Sequence, residues 1–370
     1  MQIFGVYQSV LKRGLFWYYL ESTKILPVVH TENRQPCGAI YNRNWKGLLF
    51  DVSYYRNRVN LEIFHALSDG TGAMHFLRTL MTKYLSLCHH LNEPQLPDDA
   101  SKAQMSDDSF NRYYTGSSGV KRDKGRASCC LRGRKYPDNR LKIITGLVGI
   151  QPLLDAAHRY NTTLTVFLCA CLMKSISETV PVRSKRKPIV IDVPVNLRNF
   201  FPSASARNFF SVLAVSCNFW KCNGTLEEII QKIKDDFSKG LSNEHLRMGF
   251  DAYSALEHNV FARITPLALK DVLLKAAYRR SERLHAASFS NIGIVSMPDT
   301  LKPFIRSFDV CSSTNQLQVC LCTFQGRLSI SFSTPFINSE IQRQFFRSLA
   351  ELGAEIEITT NPARDAEDEP

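Results

Sequence analysis

Several patterns that would assign a chemistry at once are missing from this sequence. None of its 11 cysteines forms a Cys-x-x-Cys pair, which argues against a zinc ribbon or a thioredoxin-type site. It contains no Gly-x-Gly-x-x-Gly or Gly-Lys-Ser/Thr phosphate loop and no Gly-x-Ser-x-Gly elbow. Rossmann, P-loop and elbow-type hydrolase folds are therefore poor interpretations of the chain.

Long apolar runs are also missing. No stretch approaches the roughly 18 uninterrupted apolar residues of a membrane span, and Lys12 and Arg13 interrupt the apolar start of the chain, which lacks a signal-peptide cleavage pattern. Cysteines such as Cys169 and Cys320 lie within apolar runs, as small core residues do. We therefore expect reduced thiols, no membrane span and a cytoplasmic location.

Positive charge exceeds negative charge, with 46 Lys+Arg against 34 Asp+Glu and a net charge of +12. Much of the excess lies in residues 121–140 and in the short run 183–187. Neither segment interleaves aromatic residues as a stacking platform for bases does. The sequence therefore favours a phosphate-bearing small molecule as the anionic ligand, and we expect no nucleic-acid partner.

The periodicity predicts strands and helices along most of the chain. Residues 58–64 alternate apolar and polar side chains, which is typical of a half-buried strand, and residues 71–87 change to helical spacing. Further helices are expected at 150–160, 164–178, 226–237 and 267–284, with a last helix after Ser339, and further strands at 188–195, 209–216, 287–295, 306–310, 317–323 and 327–332.

This arrangement predicts an α/β protein of mixed sheets in two lobes. Residues 1–140 form the first lobe, in which the Pro-, Ser- and charge-rich segment 92–140 is expected to be a mobile crossover loop. Residues 141–358 form the second lobe, and 359–370 are expected to be a disordered acidic tail.

The segment EIFHALSDG (62–70) carries the residues best suited to chemistry. His65 follows the predicted strand, and Asp69 and Gly70 lie at the turn into the predicted helix. Imidazole titrates near neutral pH, so a histidine held at such a turn is suited to removing a proton from a hydroxyl or an amine. Asp69 would either orient the ring, as in a triad, or stabilise the turn. The alternative is that His65 is a packed histidine without a catalytic role.

This stretch resembles the HxxxDG signature of the coenzyme-A-dependent acyltransferase superfamily, which includes chloramphenicol acetyltransferase and the condensation domains of peptide synthetases. The segment IDVPVNLRNFFPSASARNFF (191–210) resembles the mid-chain Asn-Leu-Arg strand of alcohol acetyltransferase-like proteins. The segment SFSNIGIVSMP (288–298) resembles the crossover strand of condensation domains. The likeness covers nearly the whole chain and is greatest to the bacterial alcohol acetyltransferase-like group.

The resemblance implies two chloramphenicol-acetyltransferase-like lobes with a tunnel between them, in which donor and acceptor meet at His65. It implies that His65 is the general base. Asp69 would be structural and would form a bidentate pair with Arg198, and Gly70 would be the residue of the tight turn.

Further residues are assigned to the substrates by the same resemblance. Asn291 or Ser290 on the crossover strand would donate a hydrogen bond to the oxyanion, and Ser290 would also line the donor site. Lys185, Arg186 and Lys187 would meet phosphates of coenzyme A, although a solvated loop is the more common reason for such a run. No metal or permanently bound cofactor is implied, and acyl-coenzyme A is the expected co-substrate.

Three features depart from the family pattern. Phe64 stands where many relatives have a second histidine, which argues against peptide-bond condensation. The Asp-Phe-Gly-Trp-Gly segment of plant relatives is replaced by a region containing Phe308-Asp309-Val310. Residues 10–21 resemble the second strand region of the family, so the first strand and helix are expected to be missing. An exposed apolar surface on the first lobe, and a homo-oligomer formed through it, are expected consequences.

The leading hypothesis is an acyltransferase that moves an acetyl or short acyl group from coenzyme A to an alcohol hydroxyl in a ternary complex. The first alternative is a condensation-type enzyme with a carrier-protein-bound donor and an amine acceptor. The second alternative is an inactive, truncated homologue that acts as a binding protein.

Overall fold

The computed structural model describes residues 4–41, 47–94, 96, 101–116, 128–137 and 140–361. The helices are α1 (Phe4–Tyr7), α2 (Gly70–Cys88), α3 (Lys102–Met105), α4 (Ser109–Tyr113), α5 (Gln151–Arg159), α6 (Leu164–Thr179), α7 (Leu226–Gly240), α8 (Asn243–His258), α9 (Val260–Ile264), α10 (Leu267–Ser281) and α11 (Glu340–Ala350). None of the described helices combines the length and the apolar character needed to cross a bilayer.

Two small sheets come from the first part of the chain. Strands β1 (Ser9–Arg13) and β2 (Tyr18–Ser22) form an antiparallel hairpin. Strands β3 (Val29–Thr31), β4 (Phe50–Tyr55) and β5 (Arg58–Ile63) form a second sheet in that order, with β3 parallel to β4 and β4 antiparallel to β5. The strand predicted at 58–64 is therefore β5, and it leads directly to His65.

A seven-stranded mixed sheet is built from residues 142–360. Its spatial order is β12 (Ile356–Thr360), β6 (Lys142–Gly149), β11 (Arg327–Thr334), β10 (Leu317–Phe324), β9 (Ala287–Ile294), β7 (Ile189–Asn196) and β8 (Phe210–Cys217). Strand β9 pairs in parallel with β10 and β7 at the centre, and the other pairs are antiparallel. The fold is thus the mixed α/β class that the sequence predicts.

Helix α2 is packed between the three-stranded sheet and the seven-stranded sheet. Phe76 on one side of the helix packs edge-on against Phe50 of β4, with ring centroids 5.0 Å apart. Met74 and Leu85 on another side belong to a cluster that includes Cys322 of β10. The opposite face of the seven-stranded sheet carries the largest core, which contains buried residues of α5, α6, α7 and α11. Burial on two sides fixes the N-terminus of α2 between the two halves of the chain.

The structure corrects several expectations. Residues 306–310 are not a strand, because Phe308 packs into the α2 cluster and Asp309 accepts a hydrogen bond from the Ser329 hydroxyl, so side chains rather than a ladder hold this extended segment. The region 92–140 includes α3 and α4, and the expected tail begins inside β12. The Ser339 side chain does not cap α11. Residues 95, 97–100, 117–127, 138–139 and 362–370 of these predictions lie outside the described residues.

Candidate active site

His65 lies in the turn that joins β5 to α2. The turn begins right after Ile63, and α2 begins at Gly70 with Asp69 as its N-cap. The His65 residue is exposed, and its ring stands beside Phe210 with centroids 5.6 Å apart. The Asn208 amide donates a 2.7 Å hydrogen bond to the main-chain oxygen of His65. The backbone under the imidazole is therefore held while the ring itself faces solvent.

Asp69 is buried, and both of its carboxylate oxygens are engaged. Oδ1 accepts the N–H of Gly72 at 3.0 Å, which caps the helix. Oδ2 accepts from Arg198 Nη1 at 2.7 Å and from the N–H of Phe209 at 2.9 Å. The ion pair with Arg198 involves one oxygen, so it is not the bidentate pair expected. Because none of these bonds reaches the His65 ring, the carboxylate stabilises the turn instead of forming a triad.

Arg198 ties this carboxylate to a loop that we name the collar segment (residues 196–209). Its guanidinium donates to the Ser205 carbonyl from Nε at 3.1 Å and from Nη2 at 2.8 Å, and to the Arg207 carbonyl at 2.6 Å. Nη1 also donates to the Asn196 side chain at 3.2 Å. One arginine thus organises the collar segment around the helix N-terminus, which a surface arginine could not do.

Further contacts between the turn and the collar segment were not predicted. The Ser68 hydroxyl donates to the Ala206 carbonyl at 2.6 Å, and the Asn196 amide donates to the Thr71 hydroxyl at 3.2 Å. The signal available in the sequence was the density of small and polar residues in 191–210. That density did not indicate which of those residues reach the turn.

Two glycines allow the close packing of α2. A Cβ on Gly72 would lie 2.2 Å from Ser68 Oγ and 2.4 Å from the Ala206 carbonyl oxygen. A Cβ on Gly70 would lie 2.7 Å from the end of the Ile292 side chain of β9. Gly70 is the first helical residue of α2, so close approach rather than an unusual turn conformation explains it.

Tyr7 supports the same helix from the other side. Its hydroxyl donates to the Gly72 carbonyl at 2.8 Å, and its ring stacks on Phe76 with centroids 4.5 Å apart. Burial raises the pKa of the Tyr7 phenol, so the group remains a neutral hydrogen-bond donor. This residue, too, was not predicted from the sequence.

The two candidate oxyanion donors lie on opposite faces of β9. The Asn291 amide donates to the Thr165 hydroxyl at 2.9 Å, and its oxygen accepts the N–H of Gly293, which has φ = +87° in a β-bulge. Asn291 therefore braces the bulge on the side of α6. Ser290 points to the other face of the strand, the same face as Ile292, which meets α2 at Gly70.

The basic run Lys185, Arg186 and Lys187 is not brought next to His65. It precedes β7, whereas the collar segment begins at the last residue of that strand, Asn196. At about 3.3 Å per residue the two ends of β7 are roughly 23 Å apart. The Arg186 guanidinium lies 5.3 Å from the centre of the Trp220 ring. Among the described residues, no group of His, Cys, Asp and Glu is arranged to hold a metal ion.

Comparison with known proteins identifies the fold. No protein-family model and no curated protein matches the chain. Polyketide synthase associated protein 5 from Mycobacterium tuberculosis is similar in structure, with a TM-score of 0.56 at 12% identity over 94% of this chain and 88% of that one. The starter condensation domain of rhizomide synthetase, solved with C8-CoA, gives 0.55 at 15% identity over 95% and 84%.

A third similar structure is the trichothecene 15-O-acetyltransferase of Fusarium sporotrichioides. Its TM-score is 0.52 at 12% identity, over 84% of this chain and 71% of that one. Sequence identities this low support a shared architecture and nothing more specific. The chain therefore has the two-lobe mixed α/β fold that these acyltransferase and condensation-domain structures share.

Proposed function

We propose that the protein is an acyltransferase that moves an acetyl or short acyl group from coenzyme A to an alcohol hydroxyl. The observation that carries the proposal is the exposed His65 imidazole on a turn held by the buried Asp69–Arg198 pair. A base in this position is rigid at its backbone and open at its ring. The shared fold with acyl-transferring proteins supports the same conclusion.

In the proposed reaction, His65 removes the proton of the acceptor hydroxyl while the oxygen attacks the thioester carbonyl carbon. The tetrahedral intermediate collapses, the carbon–sulfur bond breaks and the imidazolium returns the proton to the leaving thiolate. No acyl group is attached to the enzyme. His65 thus accepts one proton and then donates it, and the ester and free coenzyme A are the products.

The oxyanion needs a donor, and we assign it to Ser290 in preference to Asn291. The Asn291 amide is already bonded to Thr165 and Gly293, whereas Ser290 lies on the face of β9 toward α2. A hydroxyl there suits an oxygen whose negative charge develops during attack. Lys185, Arg186 and Lys187 remain proposed contacts for the phosphates of an extended donor at the far end of β7.

The test is acyl transfer by the His65→Ala variant, followed as release of free thiol from acetyl-coenzyme A with a panel of alcohols. We expect turnover to fall by at least about a hundredfold, the usual contribution of a general base, with an unchanged circular dichroism spectrum. His158→Ala, on the exposed side of α5, is the matched control and retains activity. Full turnover in the His65 variant contradicts the proposal.

A condensation-type reaction is the second candidate. The similarity to a starter condensation domain over 95% of the chain favours it, whereas Phe64 in place of a second histidine weighs against it. The acceptor would then be an amine and the donor a thioester on a carrier protein. Competition between acetyl-coenzyme A and an acyl-loaded carrier protein for one acceptor separates the two candidates.

The third candidate is a binding protein without turnover, present as a homo-oligomer through an apolar surface. Thermal-shift titration with coenzyme A thioesters, combined with the transfer assay, distinguishes it: a stabilised protein with no turnover on any alcohol or amine supports binding alone. We keep the cytoplasmic location as a proposal, because Cys169 and Cys320 are buried in the core as small apolar residues are.

A further inference from the structure

The tip of the β1–β2 hairpin is bonded to the start of α10, so that distant parts of the chain form one surface. The N–H of Leu267 donates to the Leu15 carbonyl at 2.9 Å, and Lys270 Nζ donates to the Phe16 carbonyl at 2.8 Å. The Lys270 ammonium also lies 3.3 Å from the centre of the Trp17 ring. We name this region, composed of residues 14–17, α9 and α10, the hairpin–helix surface.

Large apolar side chains point outward from the hairpin–helix surface. Leu15 is 73% exposed at the hairpin tip, Phe261 is 78% exposed on α9 and Val272 is 64% exposed on α10. Further residues of this surface that are more than half exposed are Val260, Ile264, Leu269, Leu273, Leu274 and Tyr278. Exposed apolar side chains in this number on neighbouring elements indicate an interaction site, because their exposure to water is unfavourable.

The hairpin–helix surface, together with the residues that flank it, carries an excess of positive charge. Residues 10–22 and 259–283 contain eight basic residues and three acidic ones. Of the acidic groups, Glu21 pairs with Lys12, whereas Asp271 and Glu282 accept hydrogen bonds from the uncharged Tyr18 hydroxyl and Asn315 amide. The excess of positive charge therefore remains. Exposed Arg263, Lys275, Arg279 and Arg280 stand among the apolar side chains.

We propose that the hairpin–helix surface docks on an anionic lipid membrane. A second copy of this chain would bring its own excess of positive charge against the same excess, which opposes a symmetric dimer. A bilayer surface with negative headgroups accepts both components, since apolar and aromatic side chains enter the boundary between headgroups and acyl chains while lysines and arginines meet the phosphates.

The geometry suits an element that lies in the plane of the membrane. Helix α10 has 15 residues, a length of about 22 Å at 1.5 Å per residue. Leu267, Lys270 and Asp271 occupy the side bonded to the hairpin, and Leu269, Val272 and Leu273 lie on the side turned away from it. Trp17 and Phe261 are the aromatic residues suited to the interface.

The test is co-sedimentation of the full chain with vesicles of phosphatidylcholine alone and with about one third phosphatidylglycerol, a probe of anionic headgroups. We expect binding to the anionic vesicles, loss of binding at high salt and little binding to phosphatidylcholine alone. Combined Phe261→Ser and Val272→Ser changes should weaken binding at least tenfold. Arg279→Glu with Arg280→Glu should remove the preference for anionic lipid.

Leu87→Ser is the matched control, because Leu87 is equally exposed, at 77%, but lies at the far end of α2. This control should bind vesicles as the wild type does, and transfer to a soluble alcohol should be unchanged in all these variants. Absence of lipid binding overturns the proposal. So does a dimer that the Phe261 and Val272 changes dissociate in the absence of lipid, or binding that those changes leave intact.

Discussion

Replacement of Asp69 should disrupt more contacts of the site than replacement of any other residue in it, because its single buried carboxylate bonds three partners. It caps α2 through Gly72, pairs with Arg198 and accepts the N–H of Phe209. The side chain of Arg198 is only 11% exposed. Removing the negative charge would leave a buried guanidinium without its counter-charge, and this situation costs more than the loss of an exposed ion pair.

We predict that Asp69→Asn lowers the free energy of unfolding by about 3 kcal/mol. Asparagine can still cap the helix, so the loss comes mainly from the uncompensated charge of Arg198. Urea unfolding followed by circular dichroism measures it. Asp108→Asn is the control, since Asp108 caps the short helix α4 at an exposed position, and asparagine caps about as well as aspartate. Equal effects of the two changes would contradict this account.

At this scale the sequence indicates His65, Asp69 and Arg198 as a set, but it does not indicate their surroundings. His65 and Asp69 were recognised because strand and helix periodicities meet at them, and Arg198 only through resemblance. Asn208 holds the carbonyl of a residue 143 positions away, and such a contact depends on tertiary packing. The sequence left the oxyanion donor open between Asn291 and Ser290 for a similar reason, because the bond from the Asn291 amide to Thr165, 126 residues away, also depends on tertiary packing.

The first turn of α2 is the element on which the site depends. It approaches the collar segment so closely that Gly72 has no room for a side chain. Gly72→Ala should therefore push Ala206 away, lower stability by about 2 kcal/mol and reduce transfer activity. Thermal denaturation and the thiol-release assay measure the two effects.

Gly149→Ala provides the comparison for that change. Gly149 lies at the end of β6, a Cβ there would meet nothing within 4 Å, and its φ is not positive. Alanine should therefore be neutral or slightly stabilising through the unfolded state. If both glycine variants behave alike, close packing at Gly72 is not the cause.

The short strand β3 is held on β4 by a titratable contact. The Thr31 carbonyl, and next the Asp51 carboxylate 3.0 Å from the ring, raise the pKa of His30. The folded protein therefore favours the protonated form of the His30 ring. The contact contributes its full stabilisation of the fold below about pH 6.5, and this contribution is lost as the pH rises through the raised pKa of His30. Urea unfolding should show that His30→Gln removes this decline, whereas His158→Gln leaves it.

Periodicity predicted the elements with strong apolar patterns, including β5, α2, α6 and the β10–β11 hairpin with its Gln325–Gly326 turn, which has φ of 47° and 73°. It failed at 306–310, where extended backbone alternates without a neighbouring strand. Strand β6 was not predicted, because Gly146 interrupts its apolar pattern. The structure shows why a glycine stands there: a Cβ at this position would lie 2.3 Å from the Phe346 ring.

At the scale of the whole molecule, two cysteines join the first and last parts of the chain. The Sγ atoms of Cys37 and Cys311 are 3.8 Å apart, across 274 residues. The hydrogen bond between the two thiols lowers the pKa of Cys311 and raises that of Cys37. Cys37 is also tied to β5, because its N–H donates to Glu62 at 3.0 Å.

We predict that diamide, which accepts the two thiol hydrogens, converts this pair to an intramolecular disulfide. Proteolytic mapping without reductant should yield a linked peptide containing Cys37 and Cys311, and Cys311→Ser should abolish it. Cys88→Ser serves as control, since that thiol is also exposed but belongs to neither of the two close thiol pairs. The thiols of Cys217 and Cys222, which are 3.4 Å apart, should form a second linked peptide and so show that diamide has acted. If this second peptide forms and the Cys37–Cys311 peptide does not, residues 37 and 311 do not approach each other in solution.

The bond from the Tyr7 hydroxyl to the Gly72 carbonyl has a practical consequence for anyone who produces this protein. A version of the chain shortened past Tyr7 would lose the residue that backs the first turn of α2, so every shortened form should retain it.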